Sequence, residues 1–226
     1  MTKELWLIWR QPKTRRRYKV GTLINEDNCF EFIYTNPELD EATKAGFRCF
    51  PGFDDIQKKY HSKELFANIE TRLPNTARPD YNKILKSLEL DLQASKWDIL
   101  KATKGRLITD SYEFVAPFDK NKIEFDIAGT RYCDDIEKCK ENLKVNEELF
   151  LKRDKTNEYD ENAVKIIYKK DNQEFQLGYV PRYYSKYLSS LLDQEVPYLA
   201  TIKKINFESN LNDEDIMAYV KLIFNK

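Results

Sequence analysis

Asp154–Ile166 reads DKTNEYDENAVKI: polar and turn-forming residues crowd around one tyrosine, Tyr159, and the run passes directly into an apolar segment. One or two turn-formers are enough to reverse a chain. A stretch this rich in Asn and Asp is therefore a hairpin loop or the rim of a binding surface. The flanks decide what fold carries it. On either side lie short segments suited to strands: KIEFDIAGTRY and EELFLKRD before it, then NAVKIIYK, FQLGYVP, YLATIKKINF and MAYVKLIF. In the last of these Ala218, Val220, Leu222 and Phe224 alternate onto one face. A single helix is predicted in PRYYSKYLSSLLDQ, where Tyr184, Leu188, Leu191 and Leu192 fall at i, i+4, i+7 and i+8. Several short strands and one helix within about 100 residues predict a small β-barrel.

Further upstream the pattern changes. LWLIWR, YKVGTLI and CFEFIY predict a three-stranded meander. Short helices are expected in PELDEATKAGF and in FDDIQKKYHSKELFANIE, where Ile56, Tyr60 and Leu65 recur at near-helical spacing. ARPDYNKILKSLEL places Asp80 as an N-cap, and SKWDILKAT predicts a further helix running to Gly105. The proline and charged turn of VAPFDKNK mark a boundary. The expected fold class is α+β: a mixed α and β domain with a small antiparallel sheet over residues 1–118, and a small barrel with one helix over 119–226.

Composition narrows the function. Among 226 residues, 38 Lys and Arg balance 38 Asp and Glu. Such a chain has no global field to hold a polyanion, so any nucleic-acid contact is local. No apolar run reaches the roughly 18 residues a membrane helix needs, and MTKELWLIWRQ is too short and interrupted for a signal peptide. A cytoplasmic protein is expected. Cys29, Cys49, Cys133 and Cys139 form no CxxC pair and share the chain with one histidine, His61, so neither a metal nor a cofactor is expected. One histidine also leaves few schemes for a hydrolase, and the expectation is a binding protein with no catalytic residues.

Three motifs in order carry a resemblance: AGTRYC at 128–133, KVNEELFLKRDKTNEYDENAVKI at 144–166, and QLGYVPRYYSKYLSSLLD at 176–193. Together they resemble the HIRAN domain, whose G-x-R-[YF] strand, N-x-Y-D-x-N-A loop and G-[YH]-[VL] strand precede a helix. The resemblance implies an OB- or SH3-like barrel that binds nucleic acid, with single-stranded DNA or DNA ends, specifically a free 3′ hydroxyl, as the ligand. It implies that Arg131 reaches a phosphate, for which a guanidinium fork is well shaped. It implies that Tyr132 and Tyr159 stack on terminal bases, that Asp160 accepts a hydrogen bond from the 3′ hydroxyl, and that Arg182 holds a second phosphate. It places Tyr179, at a position where relatives carry histidine or tyrosine, among the nucleic-acid contacts, and Cys133 stands where the animal DNA-end binder has a second aromatic. Many bacterial relatives stand alone.

The residues admit plainer roles. Asp160 can close an Asx turn, Asn162 and Ala163 can shape the turn, Tyr159 can cover the barrel, Tyr179 can pack in the core, and Arg131 can pair with Asp154 or Glu158. Between Phe125 and Phe207 there are 14 Lys and Arg against 15 Asp and Glu. That balance suits a few phosphate contacts and argues against coating a long strand.

The N-terminal half resembles the N-terminal β subdomain of HipA-type proteins in its VGTL and FEFIY strands and the LP turn of ETRLPNTARPDY. None of the kinase segments follows, which implies an interaction module that can hold a protein partner. Lys13, Arg15, Arg16, Arg17 and Lys19 form a basic turn, expected to be solvated. LKATKGRLITD lacks the spacing of a phosphate loop, and the Asp54–Asp55 and Asp134–Asp135 pairs lack further metal ligands. The competing function is a protein-interaction adaptor in a toxin-antitoxin, mobile-element or phage-defence system.

Overall fold

The computed structural model describes residues 3–27, 29–119, 121–207 and 216–223. The chain divides into two units, Met1–Pro117 and Phe118–Lys226.

In the first unit the meander forms as β1 (Lys3–Arg10), β2 (Arg17–Glu26) and β3 (Cys29–Tyr34). α1 (Glu38–Lys44) follows, then the short β4 (Tyr60–Ser62), α2 (Ala67–Glu70), α3 (Tyr81–Ser87), α4 (Lys96–Thr103) and β5 (Tyr112–Val115). All five strands join one antiparallel sheet in the order β4-β3-β2-β1-β5. Its core is aromatic, with Phe32 stacked on Phe53 at 4.3 Å and Phe50 set edge-on to Phe114 at 5.8 Å. Two sequence expectations are corrected. Tyr60 lies in a strand rather than on a helix, because it pairs with Phe32 across β3 while its ring packs 4.6 Å from Phe53. The helix of that segment shrinks to the single turn Ala67–Glu70. Asp80 does stand at the N-cap position, but its carboxylate binds the Arg78 guanidinium at 2.9 Å instead of the helix amides. At α4 the cap is Ser95, whose Oγ accepts from the Asp98 amide at 3.1 Å.

The basic turn is largely absorbed by the first unit itself. Arg16 pairs with Glu41 at 3.6 Å, Arg17 with Glu113 at 3.3 Å, and the Lys19 ammonium lies 4.1 Å from the centre of the Trp6 ring. Burial pushes the Glu113 carboxyl up, but Arg106 and Arg17 outweigh it and hold it at about 2. A carboxylate held below its ordinary 4.5 stabilises the fold above that pH, and the contribution is lost as the pH falls from about 4.5 towards 2. All three tryptophans, Trp6, Trp9 and Trp97, belong to this unit, so their emission reports on its unfolding. Acid titration of the Glu113→Gln variant is expected to show a shallower loss of stability over that window than the parent. Identical titration curves would mean that the pair contributes nothing to acid sensitivity.

The second unit contains β6 (Lys122–Asp126), α5 (Asp135–Cys139), β7 (Leu149–Arg153), β8 (Val164–Lys170), β9 (Gln173–Tyr179), α6 (Arg182–Asp193), β10 (Tyr198–Ile205) and β11 (Ile216–Leu222). Its strands form two antiparallel sheets, β10-β11-β6 and β7-β8-β9. Both seams between them are hydrogen-bonded. On one side Ala128, just past β6, exchanges two backbone bonds of 2.8 Å with Tyr179 at the end of β9. On the other, Glu148 bridges Thr201, and the Ile202 amide donates to the Glu147 carbonyl at 2.9 Å. These seams join the six strands into a barrel. Phe125, Ile127, Ile166, Leu177, Ile202 and Val220 fill it. Tyr184 and Leu188 of α6 are buried as their helical spacing predicts. Ala218, Val220 and Leu222 are likewise buried, while Phe224 lies outside the described residues.

One correction matters for function. The segment AGTRY does not continue β6 as a strand. After Asp126 the chain turns at Gly129, with φ +73°, into the 3-10 turn Thr130–Tyr132. The left-handed conformation at Gly129 lifts Arg131 and Tyr132 off the sheet.

Candidate nucleic-acid interface

Three segments converge where β9 ends. The Ala128–Tyr179 pairing brings in the 3-10 turn with Arg131 and Tyr132. The Tyr179 hydroxyl donates to Asp154 Oδ2 at 3.0 Å, which brings in the loop between β7 and β8. The Ser185 hydroxyl lies 2.7 Å from Asp160 Oδ2, which ties the first turn of α6, and with it Arg182, to the same loop.

Gly178 allows this convergence. The β8–β9 register shifts between Ile166, opposite Gly178, and Ile167, opposite Gln176, so Leu177 is the extra residue of a bulge. Gly178 has φ +147°, and a Cβ there would sit 2.5 Å from the Ala128 carbonyl oxygen. The glycine of LGYV is thus the position where two backbones approach too closely for any side chain.

The loop DKTNEYDEN is built by its own side chains. Asn157 Oδ1 accepts from the amides of Tyr159, at 2.9 Å, and Asp160, at 3.0 Å. Asp160 Oδ1 accepts from the Asn162 amide at 2.9 Å, and the Ser189 hydroxyl reaches Asn162 Oδ1 at 3.3 Å. Asp160 is therefore an Asx-turn residue and a tether to α6. A carboxylate has about four lone-pair sites, so these contacts leave it capacity for a further donor.

With the polar residues doing the turning, Tyr159 is left 82% exposed, and Tyr132 is 75% exposed. An aromatic ring in water at this level is not covering a core. The Arg131 guanidinium carbon lies 4.7 Å from the centre of the Tyr132 ring, and its Nη2 donates to the Tyr132 hydroxyl at 2.9 Å. Arg131 and Tyr132 thus form one stacked cationic unit. The Asp154 carboxylate is met by the Lys165 ammonium at 3.2 Å. Tyr179 is half-buried, and burial together with the Asp154 carboxylate raises its phenol, so it donates as the neutral form. Burial also pushes the Cys133 thiol up, and Gln176 Nε2 reaches its sulfur at 3.6 Å. It is a packed thiol rather than a reactive one.

Lys165, Gln176 and Ser185 were not singled out from the sequence, and Asp154 only as a possible surface partner of Arg131. Only Asp154 carried a usable signal, standing three residues before Asn157 as an Asx residue does. The others are recognised by what they touch. Among the described residues no group of His, Cys, Asp and Glu could hold a metal ion, and no helix is long and apolar enough to cross a membrane.

A closed antiparallel barrel with exposed aromatics and a stacked arginine at one end belongs to the class of small binding barrels. Residues 120–220 match the model of the HIRAN domain, and the second unit is a HIRAN domain. The match implies a DNA-binding module. Two solved structures are similar to this chain. A protein from Lactobacillus plantarum shares 23% identity over 47% of this chain and 96% of its own, with a TM-score of 0.37. The HIRAN domain of human HLTF shares 19% identity over 45% of this chain and 74% of its own, with a TM-score of 0.35. No curated protein matches. The matched span lies outside the first unit, and the resemblance of that unit to HipA-type proteins expected from its motifs is not shown by the family match.

Proposed function

We propose that the second unit captures an end of single-stranded DNA bearing a free 3′ hydroxyl, and that the protein acts by binding rather than by catalysis. The observation that carries this reading is the exposure of Tyr132 and Tyr159 on two segments that both anchor at Tyr179. Two rings offered to solvent in this way suit terminal bases, because every base has a face to stack and little sequence preference is needed. Arg131 supplies charge for a phosphate beside one of those rings, and Arg182 a second cation at the start of α6. Asp160, already oriented by the Asn162 amide and Ser185, accepts from a terminal hydroxyl and repels a terminal phosphate. The near balance of charge in this unit favours a few contacts at an end over a long track.

Fluorescence anisotropy with oligonucleotides ending in 3′ hydroxyl or 3′ phosphate, and with 5′-labelled controls, tests the assignment. The 3′-hydroxyl strand is expected to bind best. Tyr159→Ala and Arg131→Ala are each expected to weaken it, by about 1–3 kcal/mol for the lost stacking platform. Asp160→Ala is expected to reduce discrimination between the ends more than affinity. Equal binding of all ends, or binding only at high micromolar concentration, overturns the end-capture reading.

A further inference from the structure

Asp154 is only 7% exposed, and the family resemblance gives it no role. Its Oδ2 accepts from the Tyr179 hydroxyl at 3.0 Å, from the Lys165 ammonium at 3.2 Å and from Asn157 Nδ2 at 3.4 Å, while its Oδ1 accepts from the Thr156 hydroxyl at 3.1 Å. Burial pushes this carboxyl up, but the donors outweigh it and hold the group ionised below the usual range.

Two of these partners lead outward to the binding surface. The Asn157 amide has one oxygen and one nitrogen end, and Asp154, an acceptor only, selects the nitrogen end. The oxygen is thereby turned towards the amides of Tyr159 and Asp160, which fixes the turn that presents both side chains. Lys165 stands opposite Tyr179 in the β8–β9 ladder, its side chain 31% exposed. The ammonium is reachable from solvent, yet it is paired with the buried Asp154 carboxylate at 3.2 Å.

Resting on the reading that this face takes DNA, we propose that Asp154 is a positioning residue with two separable duties: it sets the Tyr159–Asp160 turn, and it holds the Lys165 ammonium back from phosphate. The face then selects an end by shape and a hydroxyl contact instead of gripping any strand by charge.

The Asp154→Asn variant keeps the shape of the side chain and removes its charge. In anisotropy titrations of the full chain across a salt series, it is expected to steepen the dependence of log Kd on log salt by about 0.7, the increment for one further single-strand phosphate contact. Its preference for 3′-hydroxyl over 3′-phosphate oligonucleotide is expected to fall about three- to tenfold. Adding Lys165→Gln to Asp154→Asn is expected to restore the parental salt slope and leave the preference low, because only the first change releases the turn. Weakening of all oligonucleotides in proportion, with slope and preference unchanged, would show that Asp154 only stabilises the barrel and would overturn the proposal. If the parent protein binds no oligonucleotide, the DNA reading falls and the charge duty falls with it. The turn-setting duty is then judged by amide hydrogen exchange, where faster exchange at residues 159–160 in Asp154→Asn supports it and unchanged protection overturns it.

Discussion

Gly178→Ala is expected to destabilise the second unit by about 3 kcal/mol, because the added Cβ meets the Ala128 carbonyl oxygen at 2.5 Å in a backbone conformation, φ +147°, that L side chains rarely adopt. The strain falls on the seam that closes the barrel. To relieve it the chain must part Ala128 from Tyr179, and that pairing is what sets the 3-10 turn of Arg131 and Tyr132 against the end of β9. Loss of stability and loss of oligonucleotide binding are therefore expected together. The three tryptophans lie in the first unit, so their emission is expected to follow the parental urea transition, while amide exchange in β8 and β9 accelerates. A variant with unaltered exchange in those strands would show that the bulge can accommodate a methyl group and that the glycine serves another purpose.

Arg72→Met is expected to have an effect of similar size on the first unit, about 3–5 kcal/mol. Arg72 is 6% exposed and uses its whole fork: Nε donates to the Gly105 carbonyl at 2.7 Å, and Nη1 and Nη2 hold the two oxygens of Asp110 at 2.7 Å each. Its guanidinium carbon lies 5.4 Å from the centre of the Phe50 ring and 5.8 Å from that of Tyr112. Methionine fills the volume but leaves the Gly105 carbonyl and the Asp110 carboxylate without this donor, and desolvated acceptors are costly. The Asp110 side chain is 23% exposed, so water recovers part of the loss and places the outcome at the lower end of the range. Arg72→Lys is expected to recover only a fraction, since one ammonium cannot span the same three acceptors. Urea transitions followed by tryptophan emission measure this. A midpoint within error of the parent for Arg72→Met would mean that the buried pair contributes no net stability.

Much of the fold was legible in the chain. The meander of the first unit, the strands of the second and the helix after VPRYY all follow local patterning, with period 2 in MAYVKL and period 3.6 in YYSKYLSSLL. Where patterning misled, a tertiary contact had overridden it. Tyr60 looked helical by spacing and became a strand residue because β3 offers it a ladder and Phe53 a packing partner. AGTRY looked like the end of a strand and became a turn because Gly129 takes a left-handed conformation. Helix spacing and strand propensity carry no information about either event.

The candidate site divides in the same way. DKTNEYDENAVKI, by its composition alone, pointed to a turn with one aromatic at its tip, since Asn157 and Asp160 satisfy amides two or three residues away and need nothing distant to do so. Whether Tyr159 packs inward or faces water was settled by folding, as was the contact of Arg131 with the Tyr132 ring. The roles of Asp154, Lys165 and Ser185 likewise emerged only in the closed barrel, where residues 25 positions apart, Asp154 and Tyr179 or Asp160 and Ser185, come within hydrogen-bond distance. Bonds along a turn are encoded by neighbours and can be read from spacing; bonds across a barrel depend on strand register, and here that register rests on the bulge at Leu177 and Gly178.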